Sequence, residues 1–566
     1  MKLTMSLLIM LGGVAVFMYG MKQMSLSMEQ GAGAGVHTLF KKISKNKVID
    51  YGIGIGATVI VQSSSATSIM VVGLANAGIV DVKTGSGMIL GAKVGTTLTA
   101  FMFALSGVNK GSFSMTAIFA SFAFVGVLIM YMSSNDRFNN FALFITGFGM
   151  LFAGLELMET AIGGPDSILS IELQKLFRYD IMYNPACLVI LGALFTGIIQ
   201  SSTAATGLFL IFLTTEVIGS VDQSFFLIMG ANIGTCTDGL MASIGTNASG
   251  KRIAVFHILT SVIGAIAFTI ILVIFRAPIV SLFENLFPGN PEWSLATFNM
   301  AYNVIYTLIL LTILNPMVNM VKKLIKDGQP QAAKVNYIDD RLIVSPTVAI
   351  ENALKEVFDM AVMAQENFDR AFNGLVKTDT SESKLIATTE YAIDDMTRAL
   401  AGYLIKVSSA TSSADREKMV GGLHHVINDI ERIGDYAVEL AKETNYMRQH
   451  DMHFVEITAK ELEEIYAKIP EMFSLALDSF RTRKTNNLQK IAEVQSEITR
   501  LINVKRDAHI TRLNANMYSV EISKSLYSAL FALGRVSDHI VNIAFSIRSD
   551  TGSKTEAFQN MKKNTK

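Results

Sequence analysis

A short polar run inside a long apolar stretch places the strongest constraint on this chain. The run is QSSSATS, from Gln62 to Ser68, and it lies between YGIGIGATVIV and IMVVGLANAGIV. Hydrocarbon offers no hydrogen-bond partners, so each unpaired polar group at membrane depth costs several kcal/mol. The run therefore predicts a protein-enclosed cavity or a break between two half-helices, and it marks a candidate site.

The polar run has a second copy later in the chain, GIIQSSTAATG, which carries Gln200, Ser201, Ser202 and Thr203. The repetition extends to both sides. GGVAVFMYGMKQMS matches GFGMLFAGLELMET upstream, and GAKVGTT matches GANIGTC downstream. Duplicated membrane units, each with an interrupted polar helix, predict a binding site near the bilayer midplane, between the two copies.

Composition divides the chain into two parts. Half of its residues are hydrophobic, only 17% are charged and the mean hydropathy is +0.39, which is typical of a membrane protein with a soluble portion. We predict a membrane domain over 1–326, with repeats at 5–132 and 140–275 and a final span at 296–322, then a linker over 327–344, a helical domain over 345–550 and a polar tail over 551–566. The net charge is zero and no basic face is evident, so a nucleic-acid partner is not expected.

The paired serine segments, each followed by a Gly-Ala-x-x-Gly-Thr segment, resemble the type II sodium/phosphate cotransporters. The resemblance implies an all-α polytopic transporter built from two inverted repeats with re-entrant or broken helices. It implies phosphate binding at Ser63, Ser64, Ser65, Ser201, Ser202 and Thr203. It implies sodium binding or coupling at Gln62, Thr67, Ser68, Thr96, Thr97, Gln200, Asn232 and Thr235. We add Lys93 and Asp238 as candidate coupling residues, although both depart from the family pattern.

Physical chemistry supports both kinds of ligand at these segments. A half-helix that starts beside the serines would present unpaired N–H groups and a positive dipole end to an anion. Side-chain oxygens and freed carbonyls are also hard ligands of the kind that hold Na⁺. The alternative is that these hydroxyls only bond the preceding helical turn or join helices, as in many membrane proteins. Duplication of the whole pattern favours a site over this alternative. His257, by contrast, has no such support and is expected to be a packing residue.

Lys93 departs from the family pattern, because the matching residue of the second copy is Asn232. A lysine at the bilayer midplane costs about 2.5–3.5 kcal/mol unless something compensates for its charge. Its ammonium could replace a sodium ion, pair with phosphate, or pair with Asp238, the other charged departure. The remaining alternative is that it extends to the membrane interface.

The soluble part has the pattern of a helical bundle. Ser345 and Pro346 form a helix start, with Ser as N-cap and Pro at the first helical position. Apolar residues then follow at helical spacing: Ile350, Leu354, Val357, Ala361, Ala364, Phe368 and Ala371. No strand-like alternation occurs, so we predict an antiparallel bundle.

This bundle resembles a PhoU domain in the segment NDIERIGDYAVELA, which ALGRVSDHIVNIA partly repeats. In PhoU proteins, carboxylates spaced i, i+4 bind metal clusters, and the resemblance implies metal ions at Glu390, Asp394, Glu431, Asp435 and Asp538. The second copy departs from the pattern, because Gly534 replaces the acidic residue before Asp538. Carboxylates at this spacing are also common on solvated helices, so the alternative is an ordinary acidic surface.

Together these features predict sodium-coupled, secondary-active phosphate transport with a regulatory PhoU-like domain, no cofactor beyond the coupling ions, and no enzymatic activity. Lysine-rich ends near Lys41 and Lys322 predict a cytoplasmic soluble domain. The resemblance implies the plasma (inner) membrane of a bacterium, and a homodimer or a regulatory partner bound through the PhoU-like domain. Two alternatives remain: a phosphate exporter, and a membrane sensor that binds phosphate without transporting it.

Overall fold

The computed structural model shows two separate helical units, Met1–Pro330 and Gln331–Lys566. The structure describes residues 2–41, 46–105, 115–133, 136–163, 167–177, 184–326, 337–411, 414–514 and 519–546. Helices dominate all of these ranges and no strand occurs within them, which confirms the all-α class. The predicted tail and the first part of the predicted linker lie outside the described residues.

The first unit consists of fifteen described helices. They are α1 (Lys2–Lys41), α2 (Lys47–Val61), α3 (Ser64–Asn76), α4 (Val82–Ala104), α5 (Met115–Met132), α6 (Asp136–Ile162), α7 (Ile168–Phe177), α8 (Pro185–Ile199), α9 (Ser202–Thr214), α10 (Val221–Gly234), α11 (Cys236–Ser243), α12 (Ala248–Ile274), α13 (Arg276–Leu286), α14 (Pro291–Thr312) and α15 (Leu314–Leu324). Six stretches of the described residues are long and apolar enough to cross a membrane: Lys2–Met28, Val82–Ala104, Phe138–Ile162, Val221–Ser243, Ala248–Ile274 and Pro291–Thr312.

The duplication seen in the sequence is also present in the helices. α2 and α8 each have 15 residues, and α3 and α9 each have 13. None of the four reaches the roughly 20 residues that a single membrane-spanning helix needs. α2 and α3 are therefore two half-helices separated by a two-residue break, as the polar runs predict. The same is true of α8 and α9. The inverted relationship of the two repeats stays a prediction.

Small residues bring equivalent helices together in both repeats. A Cβ at Gly91 of α4 would clash with the Tyr51 carbonyl oxygen of α2, and one at Gly230 of α10 would clash with the Val189 carbonyl oxygen of α8. These backbones touch only because glycine has no side chain at the contact, a device common between membrane helices. The glycine-dependent contacts fix the first half-helix of each repeat, α2 or α8, against the helix that comes after the second half-helix, α4 or α10.

The second unit begins with a 3-10 turn, Asp340–Val344, inside the predicted linker. Its helices are α16 (Pro346–Lys377), α17 (Ser383–Ala410), α18 (Ala414–Gln449), α19 (Glu456–Tyr466), α20 (Lys468–Thr482), α21 (Leu488–Asn514) and α22 (Val520–Phe545). α16 packs against α17 and α18, and α22 packs against α18, α20 and α21.

The predicted apolar stripe of α16 faces this core. Its members are buried apart from Leu354, which is half-buried. Pro346 is the first helical residue, as predicted. Ser345 is the N-cap residue, as predicted, although its buried hydroxyl makes no capping hydrogen bond. The fixed φ of Pro346 is enough to begin the helix at this point.

Candidate functional site

Both helix breaks turn at a glutamine in the left-handed backbone region. Gln62 has φ +56° and Gln200 has φ +58°. Their backbone N–H groups donate to the carbonyl oxygens of Thr58 and Thr196, each at 2.7 Å. Positive φ is uncommon for a residue with a side chain. Its occurrence at both equivalent positions shows that the two repeats use the same local structure to end the first half-helix.

A serine begins the second half-helix of each repeat. Ser63 Oγ accepts a hydrogen bond from the Ala66 amide at 3.1 Å, and Ser201 Oγ accepts one from the Ala204 amide at 3.2 Å. Both serines are in extended conformation, as N-caps usually are. Although both were predicted to bind phosphate, these two hydroxyl oxygens are engaged in holding the starts of α3 and α9.

The half-helix starts open onto one cavity that is lined by residues of both repeats. Of the predicted site residues, the cavity is lined by Ser64, Ser68, Lys93, Thr96, Thr97, Ser202, Thr203, Asn232 and Thr235. Seven others do not line it: Gln62, Ser63, Ser65, Thr67, Gln200, Ser201 and Asp238. The cavity thus unites the two serine segments with the two Gly-Ala segments, although they lie far apart along the chain.

Four hydroxyl groups near the starts of α3 and α9 have no acceptor among the described residues. Among the described residues, Ser64, Ser68, Ser202 and Thr203 donate no hydrogen bond, and all four line the cavity. Each hydroxyl therefore has a proton available for a ligand. The first N–H groups of α3 and α9 also have no acceptor within their own helices.

Threonines of the Gly-Ala segments are arranged differently. Each donates its hydroxyl proton to a carbonyl oxygen of its own helix: Thr96 to Ala92 at 3.0 Å, Thr97 to Val94 at 2.8 Å, Thr99 to Thr96 at 2.6 Å, and Thr235 to Asn232 at 3.0 Å. A hydroxyl that has given its proton to the helix can only accept from, or coordinate, a ligand. The cavity therefore has one group of hydrogen-bond donors and another group of oxygen acceptors.

Three of the predicted residues outside the cavity lining differ in their surroundings. Thr67 donates to the Ser63 carbonyl oxygen at 3.0 Å and accepts from Thr58 at 3.1 Å. Gln62 donates its amide to the Val59 carbonyl oxygen at 2.7 Å. Gln200 is exposed. The two glutamines therefore differ in burial although their backbones match.

The structure decides between the alternatives for Lys93. The side chain is 5% exposed, so the hypothesis that it extends to the interface is wrong. Its Nζ donates to Ser261 Oγ of α12 at 2.5 Å. The hypothesis of a pair with Asp238 is also wrong, because among the described residues no carboxylate lies within ion-pair distance of Lys93, and Asp238 accepts from Ser65 instead.

Sequence patterns did not indicate the contribution of α14, which lies outside both repeats. Asn299 and Asn303 line the cavity, and Asn303 donates to the Asn299 backbone and side-chain oxygens, each at 2.8 Å. Two asparagines one turn apart on an apolar helix were the available signal. His257, expected to be a packing residue, also lines the cavity, and its Nδ1 is buried without a partner in the described structure.

The predicted metal residues of the second unit form an acidic cluster only in part. Glu390 is buried, and its pKa is raised to about 8 by burial and by the negative charges of Asp435, Asp394 and Glu431. Asp538 accepts instead from Gln495 at 2.9 Å. In the described residues, no three His, Cys, Asp or Glu side chains are placed to hold a metal ion. The metal prediction therefore has no support from this geometry.

Comparison with known families gives two matches. A family model described as Na⁺/Pi-cotransporter matches residues 16–160 and 168–285, which include both serine segments. The membrane part of this chain belongs to the Na⁺/Pi-cotransporter family. A second model, described as PhoU domain, matches residues 357–444 and 462–547. The chain is therefore a membrane protein of a phosphate-transport family that carries a PhoU domain, as the resemblance implied.

Individual relatives support both assignments. The chain is 24% identical over 555 residues to a Salmonella typhimurium protein named "Putative inorganic phosphate export protein YjbB", covering 96% of this chain and 97% of that protein. It is 26% identical over 129 residues to the rat sodium-dependent phosphate transport protein 2A, covering 22% of this chain and 20% of the rat protein. A PhoU homologue of Clostridium acetobutylicum is 25% identical over 147 residues, covering 26% of this chain and 64% of that protein. No solved structure matches significantly.

Proposed function

We propose that this protein is a secondary-active transporter that couples the movement of inorganic phosphate to sodium ions. The observation that carries the proposal is the single cavity in which both repeats place free hydroxyl donors beside oxygen acceptors. The donors suit an anion and the acceptors suit a cation. The proposal includes no chemical step on phosphate.

Phosphate is assigned to the donor side of the cavity. Ser64 and Ser202 are the first residues of α3 and α9, so their hydroxyls and nearby backbone N–H groups lie at the positive ends of two helix dipoles. Near neutral pH, phosphate is an anion with more acceptor oxygens than O–H groups, so it needs donors. The free hydroxyl protons at these two helix starts supply them.

Sodium is assigned to the acceptor side. The hydroxyl oxygens of Thr96, Thr97 and Thr235 have already donated their protons to the helix, which leaves lone pairs for a cation. Asn232 uses its amide nitrogen on the Ile228 carbonyl oxygen at 3.1 Å, which leaves its side-chain oxygen as a further ligand. Such hard oxygen ligands hold Na⁺ in other broken-helix transporters.

Direction of transport depends on the ion gradients, and uptake and export are both consistent with this cavity. Export is favoured by the relatives that match along almost the whole chain, since they are named as phosphate export proteins. We propose that the PhoU domain is cytoplasmic and adjusts transport to the phosphate level in the cell, alone or through a partner or a second copy of the chain.

The test is phosphate flux in proteoliposomes that contain the purified full-length protein. Radiolabelled phosphate should enter when sodium is high outside and leave preloaded vesicles when sodium is high inside. Replacing sodium with choline should reduce both fluxes to the level of empty vesicles. Phosphate binding without flux in either direction would favour the sensor, and absence of both would overturn the proposal.

Direction in the cell needs a separate measurement. Cells that overproduce an exporter should hold less phosphate than cells with an empty vector, whereas cells that overproduce an uptake system should hold more. The comparison should be made at high external phosphate, where an exporter has substrate to remove.

A further inference from the structure

Lys93 is a buried cation that the transport proposal leaves unexplained. It lies on α4, it is 5% exposed, and it lines the cavity together with Ser64 and Ser202. Its ammonium has three protons to donate, and the described structure provides one acceptor, Ser261 Oγ at 2.5 Å. Two donor positions are left for a ligand.

The surroundings of Lys93 do not neutralise its charge. Ser261 is an uncharged partner that also contacts Cys236 Sγ at 3.0 Å and the His257 carbonyl oxygen at 2.8 Å. The carboxylate of Asp238 accepts its hydrogen bond from Ser65. A buried charge without an opposite charge is strongly unfavourable, so a charged Lys93 at a binding cavity calls for a ligand that supplies the missing negative charge.

Repeat symmetry indicates what Lys93 replaces. The equivalent residue of the second repeat is Asn232, whose side-chain oxygen is left free to coordinate a cation. The first repeat thus carries a cation where the second repeat carries a cation ligand.

We propose that Lys93 is a resident cation of the cavity, which pairs with the bound phosphate and takes the place of one coupling sodium ion. This inference rests on the proposed phosphate transport. It predicts that Lys93→Asn, which restores the residue of the second repeat, adds a sodium requirement. The variant should bind phosphate at least about tenfold more weakly in choline buffer, because a charge-assisted hydrogen bond is lost.

The experiment measures binding of radiolabelled inorganic phosphate to the full-length protein in detergent, across a sodium series balanced with choline at constant ionic strength. The Hill coefficient for sodium should be higher by about one in Lys93→Asn than in the unmodified protein. Lys83→Asn, on the first turn of the same helix and outside the cavity, is the matched control and should behave like the unmodified protein.

Three outcomes overturn the inference. They are an unchanged sodium Hill coefficient in Lys93→Asn, unchanged phosphate affinity in choline, and an unmodified protein with no detectable phosphate binding in choline. If Lys93→Asn does not fold, the test uses Lys93→Gln and phosphate binding by the unmodified protein in choline. An unmodified protein that binds no phosphate even at saturating sodium would instead contradict the transport proposal itself, so the two failures are distinguishable.

Discussion

Ser65, in the first turn of α3, donates a hydrogen bond to the carboxylate of Asp238 in the first turn of α11. The two residues belong to different repeats. Neither lines the cavity, but each is close in sequence to residues that do. This contact therefore connects the serine segment of the first repeat to the Gly-Ala segment of the second.

We expect Ser65→Ala to destabilise the membrane unit by about 1–3 kcal/mol, because a buried carboxylate loses its donor. Asp238→Asn should cost less, since an amide oxygen still accepts. The double variant should show a coupling of about 0.5–3 kcal/mol between the two sites. Thermal unfolding in detergent measures these changes in stability. Ser281→Ala, at an exposed hydroxyl on α13, is the control, and strictly additive effects would show that the contact carries no stability.

Ser202→Ala should affect mainly phosphate binding, whereas Ser201→Ala should affect mainly stability, although the two residues are neighbours. Ser202 has a free donor in the cavity, so its loss should weaken phosphate binding by about tenfold to a hundredfold with little change in stability. Ser201 caps α9, so its loss should cost about 1 kcal/mol of stability. Phosphate binding and unfolding temperature, measured on both variants and on Ser64→Ala and Ser63→Ala, test the distinction. Equal effects of the two substitutions would contradict it.

Gly91→Ala should reduce the folded fraction in the membrane, because its Cβ would meet the Tyr51 carbonyl oxygen of the packed neighbour. Overpacking of this kind costs about 1–3 kcal/mol. Gly52→Ala is the matched control, since a Cβ there meets nothing within 4 Å. Size-exclusion profiles in detergent report the outcome. A Gly91→Ala protein as well folded as the control would show that α2 and α4 can separate without loss.

Truncation after Lys326 should leave phosphate transport active, because both repeats and α14 belong to the first unit. The change should appear in regulation. Flux through the truncated protein should no longer respond to phosphate on the cytoplasmic side, whereas the full-length protein should respond. A truncated protein that inserts, remains stable and yet shows no flux under either sodium gradient would contradict the assignment of the site to the first unit alone.

Glu390 should make the stability of the PhoU domain depend on pH. Its pKa is raised to about 8, so the folded state holds a proton that the unfolded state loses near the ordinary value of 4.5. The stability of the folded state should therefore fall as the pH rises from about 4.5 to about 8. Glu390→Gln removes this dependence, so α17 should exchange hydrogen more slowly in the variant at pH 9, with no difference at pH 4.

Hydrogen exchange of the full-length protein, corrected for the intrinsic pH dependence of exchange, reports on α17 directly. Glu382→Gln, an exposed position at the start of the same helix, is the control and should match the unmodified protein at both pH values. Faster exchange of Glu390→Gln at pH 9 would mean that the ionised carboxylate stabilises the cluster, for example through a bound cation.

Local features of the sequence were enough to place the two helix breaks. Gln62 and Gln200 turn the chain and Ser63 and Ser201 cap the next helix by contacts within a few residues, so the pattern itself determines the structure. The apolar flanks determined the membrane class for the same reason, since hydrophobicity is a property of each segment. Duplication then indicated that two such breaks belong to one site.

Only the tertiary structure decided which side chains share the cavity. Ser64 faces it while Ser65 bonds to Asp238, and this difference depends on the rotation of α3 against distant helices. Lys93 meets Ser261 because α12 packs beside α4, and no spacing along the chain records that contact. Asn303 enters from outside the repeats, where duplication gives no information. Helix starts follow local backbone chemistry, whereas the partners of buried polar groups are set by packing between segments that are remote in sequence.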